Sequence, residues 1–484
     1  MPVTTLPIAN GFYLSESLPI SAQECTNWYP NIVQTQGLNN ETLLGTPGLK
    51  QLAISGDLNQ VNRGAQTMAG IPYFVNGNTL YRLNKTSSDG VDSYDLEGLG
   101  DIEGEGRVSI ANNGTQLMVL VPGGKGYIFT DSPDTFTEIT DSDFRANGEP
   151  QIAVYIDGYF VVTTDSKKFI ISSLNDGLSY NALDFGTAEA DPDDIVAPIV
   201  FKNQLFIGGT STMEAFENIG GADFPFVRTG LFLDKGIDSA FSIIVTSDTF
   251  MFIGGGLNES PAIWAFAGNT VQKVSTTAID SILQRVDEDE LEQSFSWSYA
   301  QKGAYFIGFS LPSTTIVFDT VTQRWHERKS KITDIKGAAN TLRFRANSVI
   351  TAYGLVLCGD SQDGRIGSLD PDIYDEYGIN IIRRVATQPF QNNMKPFMVP
   401  SLELTVESGV GNDQVEDPKI MLDISRDSKT FSYTRTRPLG KKGEYTKRAI
   451  WRRNGRMPRF SILRFTLTDA VKPVIIQLTA DITG

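Results

Sequence analysis

The sequence predicts an all-β fold: a seven-bladed β-propeller over residues 51–380, preceded by an N-terminal arm (1–50) and followed by a basic C-terminal β-sandwich (381–484). Three observations predict it. Short apolar cores recur along most of the chain. The repeat stops after Tyr377-Gly378, where the charge changes sign. The composition is rich in Gly (45), Phe (28) and Tyr (16), with few long amphipathic charged runs, as expected of strands joined by tight turns.

The first 50 residues have no sustained period. Asn27-Trp28-Tyr29-Pro30 and Gly45-Thr46-Pro47-Gly48-Leu49 put aromatic anchors and fixed-φ turns on a polar segment. Two readings stand side by side: an extended arm laid across a surface, or a strand that completes a neighbouring sheet.

The apolar cores centre on Val75, Val119, Val161, Phe206, Phe252, Phe306 and Val356, at steps of 44, 42, 45, 46, 54 and 50 residues. Most follow a turn (Asp157-Gly158, Lys202-Asn203, Lys302-Gly303, Tyr353-Gly354) and precede a second strand such as Gly126–Phe129 or Ile316–Phe318. Four short strands in 40 to 50 residues is the signature of a propeller blade. A blade with two apolar faces cannot bury both alone, so blades stack radially until the ring shuts. An irregular pair of β-sandwiches is the competing architecture. The clearest copy runs from Trp297 to Trp325, and Arg324-Trp325-His326-Glu327-Arg328 at its end reads as an outer strand with Trp325 packed and the charges facing water. Within the ring, Ile279, Ile282, Leu283 and Val286 fall at i, i+3, i+4 and i+7, predicting a helical insertion over 277–291 with a solvated acidic run at Asp287–Glu290.

Beyond residue 380, Ser401–Glu407 and Lys419–Ser425 alternate with period two, and Arg459–Leu467 and Val474–Leu478 supply further strands. Residues 381–484 hold 18 Lys and Arg against 10 Asp and Glu, about +8, whereas the rest of the chain carries about −24. Opposite signs imply two domains with different partners.

Composition narrows the chemistry. Two cysteines, Cys25 and Cys358, support neither a disulfide framework nor a thiolate zinc site, and a lone histidine, His326, removes multi-histidine metal sites. No apolar run approaches membrane-spanning length, and the start Met1-Pro2-Val3 lacks a basic and then apolar leader, so synthesis and folding in a cytoplasm without membrane insertion is the expectation. Paired carboxylates for glycoside cleavage find little support, because the acidic residues sit in turns such as Asp191–Asp194 and Asp370–Asp372, where Asp caps the backbone. Ser173–Tyr180 and Ser425–Phe431 resemble Asp-box turns, which are folding devices, and Gly123–Gly126 reads as a hairpin rather than a phosphate loop. No catalytic, cofactor or metal residues are assigned. The main surface signal is C-terminal: Lys441, Lys442, Lys447 and Arg448, then Trp451, Arg452, Arg453, Arg456 and Arg459, suited to an acidic protein neighbour ahead of DNA. With Trp28 and Tyr29 these form the candidate interface.

Asn27–Pro30 with Gly45–Leu49, Gly106–Ser109, Asp234–Ile237 and the ending Arg448–Arg456 together resemble the packaged-DNA stabilisation, or tail hub, proteins of short-tailed bacteriophages. Ser428 departs from the Gly common after the Asp of the C-terminal turn. The resemblance implies a non-enzymatic virion component: a homo-hexameric ring beneath the portal and its adaptor, holding tail fibres or tailspikes and a needle or plug, with double-stranded DNA passing through its lumen. The alternative function is a carbohydrate-binding or carbohydrate-cleaving propeller acting on bacterial surface polysaccharide.

Overall fold

Each of the seven apolar cores becomes the second strand of a four-stranded antiparallel run. The computed structural model describes residues 3–35, 37–56, 60–188, 193–221, 224–333 and 339–483; Met1 and Pro2 at the start, and Asp191 and Pro192 of the acidic turn, lie outside them. The runs extend from Asn62–Met68 to Val91–Asp101, Ser109–Asn112 to Asp134–Glu138, Pro150–Ile156 to Asp176–Thr187, Ile195–Phe201 to Phe226–Leu233, Ile244–Val245 to Val271–Lys273, and Phe295–Gln301 to Arg324–Thr333. The last begins at Ala346–Ala352. The first strands of successive runs touch in a closed cycle, ending with Ala346–Ala352 against Asn62–Met68, so the sheets form a propeller ring. Turn chemistry sets the hairpins: Asp157 and Gly158, Lys202 and Asn203, Lys302 and Gly303, and Tyr353 and Gly354 all have positive φ, the two-residue geometry whose twist matches that of the flanking strands.

The ring is closed by a strand from ahead of the first run. Gly48–Ile54 pairs antiparallel with Arg365–Asp370, with Leu49 opposite Leu369, and supplies the outer strand of the last run across the expected boundary at residue 50.

The rest of the N-terminal segment is built into the sandwich. One layer orders Ala449–Arg452, Ser401–Val406, Val474–Asp481, Glu41–Gly45 and Trp28–Ile32, with Val3–Leu6 also paired to Val474–Asp481, so three of its six strands come from the N-terminal segment. The other layer contains Arg383–Ala386, Phe460–Leu467, Lys419–Ser425 and Arg435–Pro438. Cys25–Thr26 joins this layer to the ring: Thr26 pairs in parallel with Glu327 and antiparallel with Arg384. Of the two readings of this segment, the topology shows the second: it supplies strands that complete neighbouring sheets.

Two expectations are corrected. Arg324–Arg328 does not face water: Trp325, His326, Glu327 and Arg328 are all buried, because the strand is covered by Cys25–Thr26 and by the backbone of Phe12, whose N–H donates to the Trp325 carbonyl at 2.7 Å. The helical insertion is broken into Thr277–Leu283 and Glu288–Leu291. Ile279, Leu283 and Leu291 are buried in one core while Glu288, Asp289 and Glu290 remain exposed in the first turn of the second helix, where the macrodipole favours carboxylates.

Candidate functional surface and axial cavity

On the strand Trp28–Ile32, neighbouring side chains point to opposite faces. Trp28, 1% exposed, enters the core shared by the sandwich and the sixth run, and Tyr29 enters the core between the sixth and last runs, its ring 5.0 Å from that of Phe306. Trp451 is fully buried; its indole N–H donates to the Arg435 carbonyl at 3.0 Å and its ring packs on Phe465. These three aromatics, expected as interface anchors, are internal to the chain: Trp28 and Tyr29 point into cores on the two faces of one strand, and Trp451 points to the covered face of its strand while Arg452, on the opposite face, is exposed.

The arginines are placed differently. Arg452, Arg453, Arg456 and Arg459 are exposed, and among the described residues no carboxylate pairs with them, in contrast to Arg448 with Glu403 and Arg464 with Asp423. Their loop is held rigidly. The Arg453 N–H donates to the Pro400 carbonyl at 2.8 Å, the Asn454 amide donates to the Trp451 carbonyl at 3.0 Å, and Arg453 and Gly455 take positive φ. The structure adds residues that sequence reasoning missed. Arg426 donates to the Asn454 carbonyl at 2.8 Å, Arg435 to the Asn454 side-chain oxygen, and Arg437 to the Ile450 carbonyl at 2.6 Å. Burial, with the like charges of Arg437 and Arg426, holds the Arg435 guanidinium below its usual range against the opposing pull of Tyr433, which is 81% exposed. The available signal was the Arg435-Thr436-Arg437 alternation, which puts both cations on one face of a strand. An exposed Tyr beside unpaired arginines has the composition of an interface hot spot.

On the ring axis, a cavity of about 910 Å3 opens beside the helical insertion, lined by Asp165, Asp238, Glu259, Glu288 and Glu292 and by no Lys or Arg among the described residues. Burial and the nearby Glu288 push the Asp238 carboxyl up to about 6. Through the shared lining of Ile152, Ala240 and Phe241 this mouth adjoins a narrower chamber of about 240 Å3, into which Arg107 projects. His326 reaches neither space: it is fully buried, Nε2 accepts from Arg328 Nε at 3.3 Å, and burial and the Arg328 charge hold its imidazole neutral. Among the described residues no group of three or more His, Cys, Asp or Glu converges as a metal site, and no helix is long and apolar enough to cross a membrane.

Two family models match the chain end to end: "Bacteriophage P22 Gp10, beta-propeller" over residues 4–374 and "Bacteriophage P22 Gp10, beta-sandwich" over residues 382–483. The tail hub protein gp10 of Salmonella phage P22 is 24% identical over 422 residues, spanning 83% of this chain and 84% of that protein. Among solved structures, the WD40 β-propeller domain of Doa1 aligns with 67% of this chain and 98% of its own, at 12% identity and a TM-score of 0.38. The computationally designed Ika8 protein aligns with 66% of this chain and 99% of its own, at 10% identity and a TM-score of 0.36.

Proposed function

We infer function from family: this chain belongs to the bacteriophage P22 Gp10 family, and we propose that it is a structural, non-enzymatic virion protein forming the tail hub or nozzle of a short-tailed phage. The observation that carries this reading is the match of both family models, in order, along nearly the whole chain. In the proposed role, made in the host cytoplasm, it assembles as a homo-hexameric ring, connects the portal and its adaptor to tail fibres or tailspikes and a needle or plug, and closes the channel so that packaged DNA is retained until ejection. The propeller (51–380) and the sandwich (381–484) are proposed to work together, each completed by strands of the arm (1–50).

The geometry supports placing the DNA lumen between copies rather than through one propeller. The chamber of about 240 Å3 is lined jointly by Ala65, Ile110, Ile152, Phe295 and Val349 from five different runs, so facing inner strands lie close together at the centre of the ring. An acidic majority of about −24 offers surfaces that the exposed Arg452, Arg453, Arg456 and Arg459 complement, so the basic sandwich edge is proposed to meet an acidic protein neighbour. Electron microscopy of virions, with this chain labelled, tests the reading: density in a ring at the tail is expected. Absence from the particle, or a protein that stays monomeric in the presence of its portal and adaptor, overturns it.

A further inference from the structure

One layer of the sandwich is an outward continuation of the sixth run. From the inner strand Phe295–Gln301 the sheet passes through Arg324–Thr333, Cys25–Thr26, Arg383–Ala386, Phe460–Leu467 and Lys419–Ser425 to Arg435–Pro438. The register is continuous from the ring strand to the last one: Glu327 pairs with Thr26, Thr26 with Arg384, Arg384 with Thr466, Thr466 with Met421, and Met421 with Thr436. Eight strand spacings separate Phe295–Gln301 from Arg435–Pro438, about 38 Å measured along the sheet. In the facing layer Ala449–Arg452 is likewise the edge farthest from Trp28–Ile32, the strand that carries Tyr29 into the ring core.

The basic residues therefore gather at the distal edge of both layers. Arg435 and Arg437 flank Thr436 on one edge strand, Arg452 ends the other, and Arg453, Arg456 and Arg459 follow on the fixed loop. Among the described residues no carboxylate pairs with any of these six. The axial mouth has the opposite character. Its lining includes the exposed Asp165, Glu288 and Glu292 and the half-buried Asp238, none of them in an ion pair among the described residues, while Glu259 is already answered by Lys235 at 3.2 Å. Ile152, Ile237 and Val286 give the same cleft apolar ground. Its volume of about 910 Å3, within the roughly 300–1,000 Å3 of binding clefts, admits the tip of a loop and not a folded domain.

Within one copy the basic edge points away from this mouth, since the sheet that carries it runs outward from the ring axis. We propose that the distal sandwich edge docks its Arg452–Arg459 loop into the acidic mouth of a second copy of this chain, setting its arginines against Asp165, Glu288 and Glu292. The two surfaces lie at different places on each copy, so the contact is heterologous and passes from copy to copy, as a ring requires. The assignment rests on the ring proposed above and names the acidic neighbour within it. A second copy is preferred to another acidic protein because every copy brings both surfaces in equal number. Guanidinium forks on a backbone pinned at Pro400 and Asn454 lose little freedom when carboxylates engage them.

Charge exchange in the full chain provides the test, with self-association in the presence of portal and adaptor followed by analytical ultracentrifugation. Reversing the loop (Arg452→Glu with Arg456→Glu) or the mouth (Glu288→Lys with Glu292→Lys) is expected to weaken self-association about tenfold each, whereas a chain carrying all four changes recovers parental assembly. Chains with Arg453→Cys, mixed with chains with Glu288→Cys, are expected to cross-link to each other, and neither variant with itself. All of these side chains are exposed, and thermal unfolding checks that each variant folds. A mouth reversal without effect, four changes that fail to restore assembly, or absence of the mixed cross-link overturns the proposal. Loss on loop reversal alone also overturns it and assigns the edge to a different acidic protein, or to an arginine guard against open-strand pairing if assembly is unchanged. Tail rings that tolerate both reversals leave the tail-hub reading standing while this contact falls. A chain absent from particles fails that reading separately, and the cross-link then decides this one.

Discussion

Arg328 is 1% exposed, and both of its terminal guanidinium nitrogens lack hydrogen-bond partners. Its charge is held instead by ring faces, with Phe306 at 4.9 Å, Tyr299 at 5.1 Å and Trp297 at 5.4 Å. Because desolvation offsets much of that attraction, Arg328→Met is expected to lie within about 1 kcal/mol of the parent, while Arg328→Ala, which leaves a cavity, loses about 3 kcal/mol; urea unfolding measures both. Ser428 sits at φ 64°, and its buried hydroxyl has no partner, although Asp427 still accepts from the Lys429 and Thr430 N–H groups at 2.8 Å. The turn thus forms without the glycine usual there, under backbone strain, and Ser428→Gly is expected to stabilise by about 1 kcal/mol in the same assay. Burial raises the Glu376 carboxyl from 4.5 to about 7, against the opposing pull of Arg345 and the Ser330 hydroxyl, which donates at 2.9 Å. The folded state therefore holds the Glu376 proton more tightly than the unfolded chain. Its contribution is fully present below about pH 4.5 and is lost as pH rises through about 7, a change on the order of 3 kcal/mol. Glu376→Gln is expected to remove that slope and to unfold at higher urea than the parent at pH 8.

Among the elements, the N-terminal strands have the widest consequences. Val3–Leu6, Trp28–Ile32 and Glu41–Gly45 make up half of one sandwich layer, and Gly48–Ile54 shuts the ring. A fragment comprising residues 381–484 is therefore expected to remain unfolded, with poorly dispersed amide NMR signals, because Val474–Asp481 loses Val3–Leu6 and Glu41–Gly45 along with the apolar surface they cover. Trp28→Ala in the full chain is expected to cost about 4 kcal/mol and to loosen both domains together. The segment's two possible roles could not be separated in the sequence, since a short aperiodic stretch with Trp and Pro fits an arm and an edge strand equally. Only its partners, separated from it by hundreds of residues, decide.

At the scale of the molecule, charge is divided between an acidic ring and a basic sandwich edge. Arg452→Glu with Arg456→Glu is expected to leave stability within about 0.5 kcal/mol, since both side chains are exposed and unpaired, while lowering incorporation of the chain into particles; thermal unfolding and virion composition report the two effects separately.

The sequence by itself determined the repeat, the turns and the change of charge at residue 380, because these depend on residues close together in the chain: apolar clusters of four to six, two-residue turns and local composition. It located Arg452, Arg453, Arg456 and Arg459 as surface. Tertiary structure alone decided that Trp28, Tyr29 and Trp451 are core, that the strand ending in His326 and Arg328 is covered, and that the basic strands lie at the sandwich edge farthest from the ring. The physical reason is pairing distance. Whether an apolar or charged side chain faces water depends on which strand lies beside it, and here the deciding neighbours come from the opposite end of the chain.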